Sequence, residues 1–380
     1  MNFEFTEEQL MIQQSARDYA QRELLKDVIE RDEKSIFPSE HIKALAELGF
    51  MGMLVSPDYG GSGMDTVSYV LAIEEISKVD ASVGVIMSVN NSLVAYELEE
   101  FGTEEQKRKF LVPLAKGEKL GAFLLSEPEA GSDATHQHTK AIDMGDHYLV
   151  NGTKNWITNG GSASTYILIA QSDSTKGHKG INAFIVDRNT KGITIGTHEN
   201  KMGMRSSDTH SVMFNDVMVP KENRLGEDGA GFKIAMKTLE GGRIGIASQA
   251  LGLASGALDF AVKYAKDRKT FGTEIINHQG IAFKLADMAT DIEAARFLCL
   301  KAAWLKDNHK PYGTASAMAK LFAAEAAMKA TTEAVQIHGG YGYVKEYHVE
   351  RLMRDAKLTQ IYEGTSEIQK IIISRALAGK

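Results

Sequence analysis

Leu239-Glu240-Gly241-Gly242-Arg243-Ile244-Gly245-Ile246-Ala247-Ser248-Gln249 lies in a stretch without proline between Pro220 and Pro311, and none follows Pro311. Proline breaks helix interiors, so its absence permits very long helices. The pattern predicts helices over about 229–266, 278–307, 312–337, 345–354 and 366–378. Long helices with wide apolar faces suggest a bundle whose surplus face can bind another subunit. Two adjacent glycines inside such a helix cost about 1 kcal/mol each relative to alanine. Gly241 and Gly242 therefore point to close approach by a ligand or another helix, with Arg243 placed to meet a carbonyl or phosphate. The plain alternative is a helix break with a solvated arginine.

Upstream of this region the texture changes twice. Residues 121–228 hold short runs rich in β-branched and aromatic residues: 121–125, 148–158, 166–171, 182–186 and 211–214. Too few long helices separate them for a repeated βαβ sheet, so an antiparallel barrel or sandwich is expected. Residues 1–120 read as helical. Thr6 and Gln9 have capping-box spacing, and further helices are expected at 38–49, 65–79, 86–101 and 104–116. The expected fold is mainly α with a β middle domain: helices over 1–120, strands over 121–228 and a helical bundle over 229–380.

The 380 residues suffice for a large core; 43% are hydrophobic and 24% charged, which argues against disorder. A formal net charge of -7 disfavours a nucleic-acid surface. Cys299 is the only cysteine, which excludes an internal disulfide and a thiolate zinc site. The start, Met1-Asn2-Phe3-Glu4-Phe5, lacks the look of a signal or transit peptide, and no apolar run is expected to span a bilayer. A soluble, cytoplasmic protein is the expectation. No Gly-x-Gly-x-x-Gly, P-loop or zinc-type histidine spacing occurs, so a redox cofactor would need another kind of site.

Several segments could carry chemistry. Leu125-Ser126-Glu127-Pro128-Glu129-Ala130-Gly131-Ser132-Asp133 offers hydroxyls and loop N–H donors, or is simply a turn. In Asn155-Trp156-Ile157-Thr158-Asn159-Gly160-Gly161, period-2 geometry puts Trp156 and Thr158 on one face, suited to a planar ring or to the core. Asp267-Arg268-Lys269-Thr270-Phe271-Gly272 could hold a pyrophosphate through Arg268, or be a solvated helix end. Gln336-Ile337-His338-Gly339-Gly340 reads as a glycine C-cap with a satisfied histidine. Finally, Ile361-Tyr362-Glu363-Gly364-Thr365-Ser366-Glu367-Ile368-Gln369 sets Glu363 on a short connection before a helix, with Ser366 and Gln369 at capping-box spacing. A carboxylate desolvated between apolar neighbours gains a raised pKa and becomes a useful base, whereas a helix-start acid would simply suit the dipole.

These segments, in this order over essentially the whole chain, resemble the acyl-CoA dehydrogenase family, with its short-chain, butyryl-CoA type most similar. Asn200-Lys201-Met202-Gly203-Met204-Arg205, Phe214-Asn215-Asp216-Val217 and Ser88 to Leu93 add to the match. The chain departs from it at Val94-Ala95-Tyr96-Glu97 and at His136 to Lys140.

The resemblance implies a helical N-terminal domain, a β domain and a C-terminal four-helix bundle, assembled as a homotetramer built from dimers. It implies FAD as cofactor and no metal. The reaction it implies turns short acyl-CoA thioesters into trans-2-enoyl-CoA, by α-proton abstraction at Glu363 and β-hydride transfer to flavin N5. Electrons then pass to electron-transfer flavoprotein. By the same resemblance Leu125, Ser126, Gly131 and Ser132 form a first flavin loop, and Trp156, Ile157 and Thr158 a second. Arg268, Phe271 and Gln279, with Gln336, Ile337, His338, Gly339 and Gly340 from a neighbouring subunit, contact the diphosphate and adenine end. Thr365, Ser366 and Glu367 also touch FAD. Ser132, Glu240, Gly241, Gly242, Arg243 and Gly364 contact acyl-CoA. Competing readings are an acyl-CoA oxidase, which generally carries an extra C-terminal domain, a nitroalkane-type oxidase or flavin monooxygenase, and a non-catalytic helical scaffold.

Overall fold

The computed structural model describes residues 4–379; Met1 to Phe3, and so the first part of the leader reading, lie outside them, as does Lys380. The chain opens on α1 Glu7–Arg22, α2 Val28–Lys34, α3 Ser39–Glu47, α4 Thr66–Val79, α5 Ala81–Ser88, α6 Tyr96–Phe101, α7 Glu104–Gln106 and α8 Val112–Ala115. π-helical turns at Val89–Ala95 and Lys107–Leu111 join α5 to α6 and α7 to α8. The capping box predicted at Thr6 is formed: Thr6 Oγ1 accepts from Gln9 N at 3.2 Å and Gln9 Oε1 accepts from Thr6 N at 3.0 Å. The helix expected from residue 86 starts at Ala81, because the Asp80 carboxylate caps it on Ser82 N and Val83 N.

The middle of the chain forms β1 Gly121–Leu124, β2 Lys140–Asp143, β3 His147–Thr158, β4 Thr165–Gln171, β5 Ile181–Asp187, β6 Ile193–Ile195, β7 Thr209–Pro220 and β8 Arg224–Leu225. They make one sheet in the order β6-β7-β3-β2-β4-β5-β8, with β1 also on β4. Most pairings are antiparallel, as expected. β1 and β2, however, run parallel to β4, so the sheet is mixed. Each reaches β4 only after a crossing connection, which strand composition does not reveal. β4 is buried on both faces. Tyr166, Leu168 and Ala170 face the core of the N-terminal helices, while Ile167 and Ile169 face the core of the long helices.

The rest is helical: α9 Gly231–Asp267, a hairpin of β9 Lys269–Thr270 and β10 Thr273–Glu274, then α10 Gln279–Asp307, α11 Gly313–His338, α12 His348–Thr359 and α13 Ser366–Leu377. α9 runs unbroken through Gly241 and Gly242, so the helix-break reading does not hold. It is also long and apolar enough to cross a membrane, contrary to expectation, but 83% of its most apolar window is buried inside the protein. That makes it the central core helix.

Small residues let α9 sit against its neighbours. Ala247, Ala250, Ala254, Ala257 and Ala261 are fully buried, as are Ala319, Ala323, Ala327 and Ala334 on α11. Against α4, a Cβ at Gly252 would lie 2.5 Å from Glu74 O, and one at Gly256 would lie 2.4 Å from Lys78 O. Cys299 is buried, and burial pushes its thiol pKa up, as an inert core thiol requires.

Replacing Gly256 with Ala therefore separates propensity from packing. Propensity alone favours Ala by about 1 kcal/mol. Overpacking against the α4 backbone costs about 1–3 kcal/mol. Thermal unfolding of Gly256→Ala should show a lower Tm than the parent; a higher Tm would mean that α4 gives way freely.

Candidate active site

Glu363 sits on the turn between α12 and α13, with φ 54°, and Gly364 follows at φ 87°. A left-handed non-glycine residue costs roughly 1–2 kcal/mol, so the surroundings must hold it. They do so from three helices. On α9, the fully buried Gln249 accepts a hydrogen bond from Tyr362 OH and donates to Ala81 O at 2.6 Å. From α11, Lys320 Nζ donates to Gly364 O at 2.8 Å. Glu325 takes Ser366 Oγ at 2.8 Å and Gln360 Nε2 at 2.7 Å. On α13, Gln369 Nε2 donates to Gly364 O at 2.7 Å and Glu363 O at 3.2 Å.

The helix cap thus falls one residue earlier than the Ser366–Gln369 spacing predicts. Thr365 Oγ1 accepts from Ile368 N at 3.3 Å. Ser366 is engaged by Glu325 of α11, and Gln369 by the carbonyls of the preceding turn, instead. Glu367 is exposed in the first turn of α13.

The Glu363 carboxyl faces Gly242. A Cβ there would lie 3.3 Å from Glu363 Oε2 and 2.7 Å from Leu93 Cδ2. Gly241, by contrast, has nothing nearer than Lys306 Nζ at 3.7 Å. Of the two glycines, Gly242 makes the room. Burial raises the Glu363 pKa to about 7, against the opposing pull of Arg243 and Lys320. Arg243 is buried, not solvated, with its Nε lacking a hydrogen-bond partner, and burial lowers its pKa. Glu240 pairs with Lys237 at 2.8 Å.

The first proposed flavin loop is pinned at its base and open at its tip. Glu127 and Ala130 exchange backbone hydrogen bonds at 3.0 and 3.2 Å. Beneath them lies Lys154, fully buried, which sequence reading passed over. Its Nζ donates to Leu125 O at 2.9 Å, Glu127 Oε1 at 2.7 Å and Gln137 Oε1 at 2.5 Å. Asn155 N donates to Ser126 O at 2.8 Å, so the two loops are tied together. Gly131 and Ser132 are exposed at the tip, and a Cβ on Gly131 would meet nothing within 4 Å.

Strict alternation does not carry through the second loop. A bulge falls between Lys154 and Ile157, and Trp156 has φ 61°. The bulge re-aims the indole. Trp156 is 61% exposed while Ile157 is buried, and Thr158 pairs with Thr209.

Arg268 and Ile337 to Gly340 line a separate cavity of about 580 Å³ with Tyr264 and His278; none of residues 125–158 lines it. Gln279 and Gln336 are exposed nearby on α10 and α11. Phe271, at the tip of the β9–β10 hairpin, is 99% exposed. His338 is satisfied: Nδ1 donates to Ala334 O at 2.8 Å, the ring stacks on Tyr264 at 4.3 Å, and burial lowers its pKa.

The structure thus holds a buried carboxyl beside a glycine gap, two tied loops and a separate cavity that includes Arg268, and comparisons with known proteins supply the class. Family models for the N-terminal, middle and C-terminal domains of acyl-CoA dehydrogenase match residues 6–118, 122–217 and 229–378. The chain belongs to the acyl-CoA dehydrogenase family and is an enzyme of that class. It is 53% identical over 374 residues to the short-chain specific acyl-CoA dehydrogenase of Clostridium acetobutylicum, covering 98% of this chain and 99% of that one. The solved butyryl-CoA dehydrogenase of Megasphaera elsdenii is 51% identical, covers 100% of both chains and superposes with a TM-score of 0.98. A chain solved in work on the electron transferring flavoprotein of Acidaminococcus fermentans is also 51% identical over 100% of both, with a TM-score of 0.99.

The raised Glu363 pKa has a thermodynamic consequence. In the unfolded chain the carboxyl ionises near 4.5; in the folded protein it ionises near 7. Between these values only the unfolded state has released its proton, so folding stability falls as pH rises, and the loss is complete above about 7. Measured across pH, the stability of Glu363→Gln relative to the parent should rise by at most about 3 kcal/mol from pH 4.5 to 7. A pH-independent difference would mean that Glu363 titrates normally.

Proposed function

We propose that the protein is a short-chain acyl-CoA dehydrogenase in which Glu363 removes the α-proton of the thioester and the product is trans-2-enoyl-CoA. The observation that carries this reading is the Glu363 carboxyl, set against the Gly242 gap with a pKa near neutrality. A base works best when its pKa lies near the operating pH. At neutral pH a substantial fraction of Glu363 is ionised, and closure over a substrate would remove the remaining water. Arg243 and Lys320 bring two positive charges to bear on this carboxyl and help to hold it ionised.

The residues present fit FAD as cofactor. Loops 125–132 and 156–158 offer an exposed indole, hydroxyls and an open glycine tip for a planar ring system. Arg268 and the glycine-lined cavity suit a pyrophosphate, which a guanidinium can hold in bidentate fashion. When bound, FAD supplies the two-electron oxidant that takes up the β-hydrogen. Thr158 and Ser126 are the side chains we assign to its ring system. Electron-transfer flavoprotein is the proposed acceptor, and the likeness to a chain from the Acidaminococcus work supports it.

The two groups of proposed cofactor residues lie apart in the chain's own structure, which supports a further element of the reading. The group at Arg268, Phe271, Gln279 and 336–340 serves the FAD of a neighbouring subunit, within a cytoplasmic homotetramer. A fully exposed phenylalanine at a hairpin tip is then a residue that a partner covers.

Three experiments test these statements. Purified protein should be yellow, and an acyl-CoA panel with an artificial acceptor should give its highest turnover with butyryl-CoA or a near neighbour. Glu363→Gln should keep the colour and lose at least about 10²-fold in rate; retention of more than about a tenth of the rate would place the base elsewhere. Phe271→Asp should leave the subunit folded by circular dichroism, yet lower the ratio of flavin to protein absorbance and shift light scattering towards smaller species. A variant with full flavin and unchanged mass would refute the shared site.

A further inference from the structure

Lys320 lies in the middle of α11 with no exposed surface, and its Nζ is 2.8 Å from Gly364 O. The same carbonyl accepts from Gln369 Nε2 at 2.7 Å. Two donors on one oxygen fix the plane of the peptide that follows Gly364. That peptide closes a turn of two consecutive left-handed residues, Glu363 and Gly364. Nothing else described offers Lys320 a close counter-ion; its nearest hydrogen-bond partner is a neutral carbonyl. A buried ammonium is costly unless paired. The charges acting on it are Glu363 on the turn itself, Glu325 from its own helix, Glu367 from α13 and Arg243 from α9. Glu363 is the largest of these, and Lys320 and Arg243 are the two cations acting on Glu363.

We propose that Lys320 is a positioning residue for the proton-transfer step: by holding Gly364 O it aims the Glu363 carboxylate, and it supplies part of the charge that keeps that carboxylate ionised. The inference rests on the reading of Glu363 as the base. It gives α11 a direct part in the reaction, although no residue of that helix touches the thioester in the reading above. A lysine placed merely to fill space would do neither.

The test uses the flavin-loaded protein and two variants. Lys320→Met keeps length and removes both the hydrogen bond and the charge. Lys320→Gln keeps a donor but removes the charge. Loss of a nearby cation raises a carboxyl pKa, so the acid limb of the kcat/KM profile should move up by about one pH unit in both variants. The kcat should fall at least about tenfold in Lys320→Met, with KM changed less, and recover partly in Lys320→Gln, where the turn is again held.

A second readout does not depend on turnover. The pH at which unfolding stability responds to Glu363, measured as the difference between Lys320→Met and Lys320→Met/Glu363→Gln, should shift upward by the same amount. If Lys320→Met fails to fold, the same comparison with Lys320→Gln decides. An acid limb, a kcat and an unfolding response all unchanged in these variants would overturn the proposal. If the parent oxidised no acyl-CoA, the functional reading would fail, while the unfolding pair would still report whether Lys320 and Glu363 are coupled.

Discussion

The site depends on one constraint: a carboxyl must be kept in a mostly apolar pocket without losing its proton affinity altogether or becoming permanently protonated. Burial alone would push Glu363 far up the pH scale. Two cations, Arg243 from α9 and Lys320 from α11, pull it back, and the balance leaves it near 7. Neither cation is in a salt bridge with it. They act on it without a direct hydrogen bond, so the carboxyl is not tied to either of them.

That balance needs helices that approach closely and do not move. The alanine-rich contact between α9 and α11 brings both Arg243 and Lys320 to bear on one turn. The glycines at 252 and 256 seat α9 on α4, and Gly242 leaves the space that the carboxyl faces. The strained backbone at Glu363 and Gly364 is held by side chains from α9, α11 and α13 together. Strain of this kind persists only where the surroundings over-determine it. The π-helical turn at Val89–Ala95 lies across from the same part of α9, with Leu93 beside Gly242.

A similar logic orders the β domain. Lys154 and Glu127 form a fully buried ion pair, and Lys154 also holds Leu125 O. Burial lowers the Lys154 pKa to about 8, with Glu127 opposing the shift. Glu127 in turn accepts from His138 N and Thr139 N. One buried pair thereby fixes two loops that share no sequence motif. A pair of this sort contributes more to geometry than to net stability, since desolvation offsets much of its attraction.

Much of this was legible in the chain itself. The long helices followed from missing prolines and helical periodicity, the main strands from β-branched runs, and Glu363 from its place on a short glycine turn. These signals are local, because helix and turn preferences act within a few residues. What failed was what depends on distant partners. The strands β2, β6 and β8 are two to four residues long and are stabilised by their neighbours rather than by pattern. The parallel pairing of β1 with β4 rests on a crossover, the cap of α13 moved to Thr365 because Glu325 and Gly364 engaged Ser366 and Gln369, and a bulge broke the alternation at Trp156. Lys154 in a strand and Lys320 in an alanine-rich helix look like ordinary solvated lysines. Only tertiary packing buried them, and burial is what turns a charge from a solvated surface group into one that sets another group's pKa.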